Sequence, residues 1–205
     1  MAIYFLNLSK CIDRRMRGDQ TPLRQFYQDE LPRDVVRRIE EKKIDVNSMV
    51  DMTPQEVGQL CHSQKLGGKI LSLVNMLPHL EVYAVVQPIT RGIIRMSLTL
   101  TAAFKWSDRY HGSSEPFWIW VEDGENEVIY HSEAFLLMKK QKEDEHKLEL
   151  TLPVREPLPP QYYVRVVSDR WVGCHSMIAV SFQHLVSESG VLATVARAEI
   201  ISIDG

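Results

Sequence analysis

The sequence predicts an α+β chain in which short helices come first and an all-β region follows. Three observations predict it. Apolar residues recur at helical spacing as far as about residue 78. From residue 80 the period changes to two. Between there and about residue 186, seven strand-like runs follow one another with no helical stretch between them.

Residues 3–17 read as an amphipathic helix. Phe5, Leu8, Ile12 and Met16 share one face, and Lys10, Arg14 and Arg17 line the other. Gly18 and Asp19 supply a stop, and Thr21-Pro22 prevents resumption. A helix this short that buries a whole face needs a partner. Three more helices are expected over 32–78. The first starts at Pro32 and turns Val35, Val36 and Ile39 inward. It carries Arg33, Arg37, Arg38, Lys42 and Lys43 outward against Asp34, Glu40 and Glu41. The second opens on a capping box with proline in the first turn, Thr53-Pro54-Gln55-Glu56, and buries Val57, Leu60 and Cys61. The third follows Leu66-Gly67-Gly68-Lys69, with Ile70, Leu73, Val74 and Leu77 as its stripe, and Pro78 ends it.

The strands are expected at 81–89, 93–104, 117–123, 127–137, 146–154, 161–168 and 177–185. Gly92, Gly112-Ser113-Ser114, Asp123-Gly124-Glu125-Asn126, the run 142–145 and Gly173 mark turns between them. Seven strands in roughly 105 residues is the pattern of an immunoglobulin-like β-sandwich. Trp118 and Trp120 share a strand face, with Ile119 on the other. In the segment Glu156–Trp171, Pro157, Pro159 and Pro160 hold the approach extended. Tyr162 to Val167 then favours a buried strand, and Ser168-Asp-Arg-Trp171 forms a charged corner.

Composition bounds the function. The 205 residues are 44% hydrophobic and 25% charged, ordinary for a soluble globular chain that forms one medium domain or two small ones. The net charge of −3 supplies no global attraction for nucleic acid or an anionic membrane. Its distribution is uneven. Residues 1–80 hold 12 Lys/Arg against 10 Asp/Glu, and the remainder holds 12 against 17. Phosphate contacts therefore belong first to the amino-terminal part. Cys11, Cys61 and Cys174 are odd in number and far apart, which fits a reducing compartment and argues against a disulfide framework or zinc site. No run approaches the roughly eighteen apolar residues of a membrane span, and Ile3–Leu6 is too short for a signal-peptide core. The expectation is an intracellular, soluble chain.

No phosphate-cradling G-x-x-x-x-G-K-[ST] motif occurs, and Leu66-Gly67-Gly68-Lys69 lacks both the first glycine and the hydroxyl residue after lysine. No cofactor is expected. Gly67-Gly68 before a helix has two readings: backbone N–H groups approaching a nucleic-acid phosphate, helped by Lys65 and Lys69, or an ordinary loop between packed helices. The basic helix faces likewise read as phosphate contacts or as solvated surface, with Asp34–Arg38 and Arg37–Glu41 able to neutralise one another. Cys174-His175 and His131-Ser132-Glu133 lack the context of a nucleophile and its base, and Asp169 and Arg170 receive no catalytic role.

Several segments carry a resemblance. Leu6–Arg15, Pro22–Phe26, Gln87–Arg91, His111-Gly-Ser-Ser, Phe117–Asp123, Tyr130–Phe135 and Glu156–Trp171 occur in this order. Together they resemble the Sec-63-like module of Ski-two-like superfamily-two helicases, over about residues 6–186. The resemblance implies the end of a helical bundle at 1–30, a helix-loop-helix domain at 31–79 and a fibronectin type III-like sandwich at 80–186. Residues 187–205 form a tail it does not cover. It places the first residues inside the bundle, so the RecA-like motor domains, winged helix and ratchet helix fall outside this sequence. It also implies a non-catalytic accessory role guiding single-stranded RNA or DNA weakly and without regard to sequence. Arg14, Arg17, Arg33, Arg37, Lys65, Gly67, Gly68 and Lys69 are the candidate contacts. Implied partners are helicase motor domains or associated complex subunits, with no membrane, in the nucleus or also the cytosol. A protein-interaction scaffold without nucleic-acid binding is the alternative.

Overall fold

The computed structural model of the chain describes residues 2–26, 30–90, 92–123, 128–154, 161–181 and 194–196. The expected turn at 124–126, Arg91, the prolines of 157–160, the strand end at 182–185 and most of the tail lie outside the described residues. The chain forms two compact units. One comprises Met1–Pro78, Phe104–His111 and Asp169–Cys174; the other comprises His79–Ala103, Gly112–Ser168 and His175–Gly205.

The helical unit begins with α1 (Ala2–Arg14), which stops earlier than Gly18 suggests. Arg15 takes a left-handed conformation at φ 53°. Its N–H donates to the Ile12 carbonyl (3.1 Å), and the Met16 N–H donates to that of Cys11 (2.8 Å). These are the paired bonds of a Schellman motif. The apolar contact that accompanies it is made by Cys11 and Met16, packed with Val172. That contact lets a non-glycine residue terminate the helix.

Helix α2 (Arg33–Glu41) starts after Pro32 and buries Val35, Val36 and Ile39. In α3 (Pro54–Leu60) both halves of the capping box form. The Glu56 N–H donates to Thr53 Oγ1 (3.3 Å), and the Thr53 N–H donates to Glu56 Oε2 (2.7 Å). Helix α4 (Gly67–Val74) buries Ile70, Leu73 and Val74. These side chains join Leu23 and Phe26 from the 3₁₀ turn Pro22–Phe26, and also Trp171 and Cys174, in one apolar core. The corner that reads in sequence as a strand terminus therefore supplies the helical core with its largest aromatic.

The expected orientation of α1 is reversed. Tyr4, Phe5, Leu8 and Ile12 are each more than half exposed, whereas Lys10 is only 3% exposed and Cys11 is buried beside it. Of the expected inner face, only Met16 is buried. The physical reason is polar anchoring. Lys10 Nζ donates to the Trp171 carbonyl (3.0 Å) and Arg14 Nε to the Arg170 carbonyl (3.2 Å). Two cations one turn apart thus satisfy consecutive backbone acceptors.

The other unit contains β1 (Leu80–Thr90), β2 (Ile93–Ala102), β3 (Ser114–Asp123), β4 (Val128–Met138), β5 (His146–Pro153), β6 (Gln161–Ser168), β7 (His175–Ser181) and β8 (Thr194–Ala196). They form two four-stranded antiparallel sheets, ordered β5-β2-β1-β8 and β4-β3-β6-β7. The fold is α+β. Seven of the strands lie where the period-two pattern predicts them. The eighth falls in the unassigned tail, pairing with β1 at Ala84–Val86. Alternation is clean on β5, where Leu150 and Leu152 are buried and Lys147, Glu149 and Thr151 are exposed. Ile119 of β3 is fully buried, and Trp118 and Trp120 occupy the other face of that strand, opposite Val167 and Arg165 of β6.

Candidate nucleic-acid interface

All eight residues that the sequence nominates for strand contact lie in the helical unit, but they do not converge on one patch. Arg17 and Arg37 are the two that meet. They line a cleft of about 250 Å³ together with Asp19, Gln20, Glu40 and Glu41. Each is already paired there: Arg17 with Asp19 (2.8 Å) and Arg37 with Glu41 across one helical turn (2.6 Å). The Arg17 hydrogen bond holds the Asp19 carboxyl below the usual range. Arg24, half-buried beside them, pairs with Glu40 at 2.6 Å. Three cations thus face three carboxylates, so the cleft carries little net field.

The remaining cations of α2 divide between ion pairing and helix capping. Arg38 pairs with Asp34 (3.1 Å) and donates to the His62 carbonyl (3.3 Å). Lys42 Nζ donates to the Leu60 carbonyl (3.3 Å). Both close acceptors at the carboxyl end of α3, where positive charge is favoured. Arg33 sits exposed at the first position of α2.

The Gly67-Gly68 pair separates into two different roles. A Cβ on Gly67 would lie 2.0 Å from the Pro54 carbonyl oxygen and 2.8 Å from the Gly58 nitrogen. Glycine is required there because α3 and α4 cross at backbone contact. Its N–H is also spoken for, donating to the Gln64 carbonyl, because the 3₁₀ turn Gln64–Leu66 runs directly into α4. Gly68 is exposed, with its nearest neighbour 3.9 Å from a built Cβ, so packing does not demand glycine there. Lys65 lines an open cleft of about 680 Å³ with Gly58, Gln59, His62, Ser63 and Gln64. His62 holds the turn at φ 50°.

Lys69 belongs to a separate cluster. Its Nζ lies 3.1 Å from Glu30, which also receives Arg109 Nη1 (3.0 Å) and the Tyr110 hydroxyl (3.1 Å). Hydrogen bonds from Lys69 and Tyr110 hold the Glu30 carboxyl below its ordinary value. Arg14 is placed differently again, its guanidinium 5.5 Å from the Trp171 ring centre. Burial lowers the Lys10 amine beside it to about 8.

Sequence reasoning missed the residues that organise this unit. Trp171 meets Phe26 (5.1 Å) and His111 (5.6 Å), and His111 meets Phe104 (5.2 Å) and Trp106 (5.3 Å). The buried His111 accepts the Ser107 N–H at Nδ1 (2.9 Å) and donates from Nε2 to the Met76 carbonyl (2.9 Å). Burial lowers its pKa, in keeping with this neutral form. The available signal was the interleaving of aromatics and cations in Phe104-Lys-Trp-Ser-Asp-Arg-Tyr-His111.

The enzyme-like pairs do not assemble. Cys174 enters the helical core while His175 is exposed, and His131 and Glu133 pair only with one another, at 3.2 Å. Among the described residues no group of three or more His, Cys, Asp or Glu is arranged to hold a metal, and no helix is long and apolar enough to cross a membrane.

Residues 1–181 match the Sec63 Brl domain. This chain belongs to that family. The Sec63 chain is 48% identical over 181 residues to the U5 small nuclear ribonucleoprotein 200 kDa helicase of Homo sapiens, covering 88% of this chain and 8% of that protein. It is 46% identical over 189 residues to activating signal cointegrator 1 complex subunit 3 of Gallus gallus, covering 91% and 8%. It therefore spans about 8% of the length of the curated relatives it matches. A solved structure, β-glucosidase 3B from Thermotoga neapolitana with α-D-glucose, overlaps 51% of this chain and 16% of its own. With a TM-score of 0.29 and 12% identity, that likeness is too distant to bear on fold or function.

Proposed function

We propose that this Sec63 module is a non-catalytic accessory part of an ATP-dependent nucleic-acid helicase. It guides single-stranded RNA or DNA by contacts to the backbone, which are blind to sequence, and it docks protein partners. The observation that carries this reading is the match of residues 1–181 to a family whose relatives include a spliceosomal helicase. The nucleus is the compartment that fits that relative. The helical unit supplies the strand contacts, with Arg33, Arg37, Lys65 and Lys69 exposed along it. We assign 1–30 to the end of a helical bundle, 31–79 to a helix-loop-helix domain and 80–186 to a fibronectin type III-like sandwich. The strand orders β5-β2-β1 and β4-β3-β6-β7 support that last assignment. The acidic balance of residues 81–205 suits protein rather than phosphate partners.

Fluorescence anisotropy with single-stranded RNA and DNA across a salt series tests the reading. Binding that weakens with salt and with Arg33→Glu plus Lys65→Glu supports guidance. These positions are preferable to Arg14, whose reversal would also release α1. No binding at low salt supports the second reading, a protein scaffold. The neutralised Arg17–Arg37 cleft and the exposed face of α1 favour that alternative. ATP turnover by the pure chain would overturn both.

A further inference from the structure

Aromatic and cationic side chains line one flank of α4. Lys69 is in its first turn, and the segment Phe104–His111 is fastened along its length. Arg109 and Tyr110 share Glu30 with Lys69. At the far end of the helix His111 bonds the Met76 carbonyl and the Lys105 N–H bonds that of Asn75. At 1.5 Å per residue, Lys69 and Asn75 lie about 9 Å apart along the axis. Trp106 stands at this far end, partly exposed and stacked on Phe104 at 5.7 Å with an interplanar angle of 29°.

We propose that this flank is a track for single-stranded nucleic acid, in which Trp106 is the platform for one base and Lys69, Lys105 and Arg109 receive the backbone. The inference rests on the nucleic-acid reading above and deepens it by naming a base-stacking residue. Three features support it. A flat indole held by Phe104 and His111 loses little freedom when a base stacks on it. Three cations outnumber the two carboxylates of the flank, Glu30 and Asp108, so the track stays positive where the Arg17–Arg37 cleft does not. Stacking also accepts any base, in keeping with guidance that ignores sequence.

The test is anisotropy of the whole chain with labelled oligothymidylate and with the same strand made abasic. Wild type should bind the abasic strand more weakly. Trp106→Leu, which keeps apolar bulk without an aromatic face, should weaken oligothymidylate binding about five-fold or more. It should also lose the distinction between the two strands, and Trp106→Phe should retain it. Equal binding of both strands by wild type, or undiminished binding by folded Trp106→Leu, overturns the track while leaving nucleic-acid guidance standing. No binding of either strand by wild type removes both. Should Trp106→Leu fail to fold, the wild-type comparison of the two strands decides alone.

Discussion

Helices α1 and α4 carry the same kind of apolar stripe and use it in opposite ways. In α4, Ile70, Leu73 and Val74 are buried in the core. In α1, Phe5, Leu8 and Ile12 face outward while Lys10 is enclosed. Periodicity identifies a stripe but not the side on which the rest of the molecule lies. For α4 the neighbouring helices supply apolar cover. For α1 the nearest cover within its unit is the backbone of Arg170 and Trp171, and only a cation can answer those carbonyls. α4 is held by burial, and α1 by a polar latch with a small apolar contact through Cys11, Met16 and Val172.

Removing the shared anchor should do most damage. Trp171→Ala empties the core around Phe26 and takes away the ring under Arg14. It should cost about 3–5 kcal/mol in denaturant unfolding, and a loss below about 1 kcal/mol would show that the ring is not structural. The latch can be read through pH. Burial depresses the Lys10 amine in the folded state, so its favourable contribution is present above the unfolded value near 10.5 and is lost as pH falls through about 8. Wild type should therefore gain roughly 2–3 kcal/mol relative to Lys10→Met between pH 7 and 10.5. A flat difference would mean that the amine is hydrated.

The helix held by burial has its own local contribution to measure. Thr53→Ala breaks the capping box of α3 and should cost about 1 kcal/mol in the same unfolding experiment. The smallest effect is expected on the outward face. Leu8→Ser with Ile12→Ser should change stability by less than about 0.5 kcal/mol for each substitution. The same pair should reduce self-association in sedimentation at high concentration, because it removes exposed apolar surface. Strong destabilisation would show that this face is covered, and the contrast between the two helices would fail.

By itself the sequence determined everything that depends on near neighbours. Thr53 and Glu56 are three residues apart and announce their box, Val35, Val36 and Ile39 mark the buried side of α2, and alternation locates seven strands. It also identified the family, because long motifs persist in order. What only the tertiary structure decided depends on partners distant in the chain. Lys10 and the Trp171 carbonyl are 161 residues apart, and Gln25 and Val172 are 147 apart. Gly67 is a glycine because Pro54 passes within contact of it, which no helical period reveals. Arg17 and Arg37 read as a basic pair until Asp19 and Glu41 are seen folded against them. Local propensity and capping are short-range, whereas the facing of a helix and the net charge of a cleft are set by whatever the fold brings alongside.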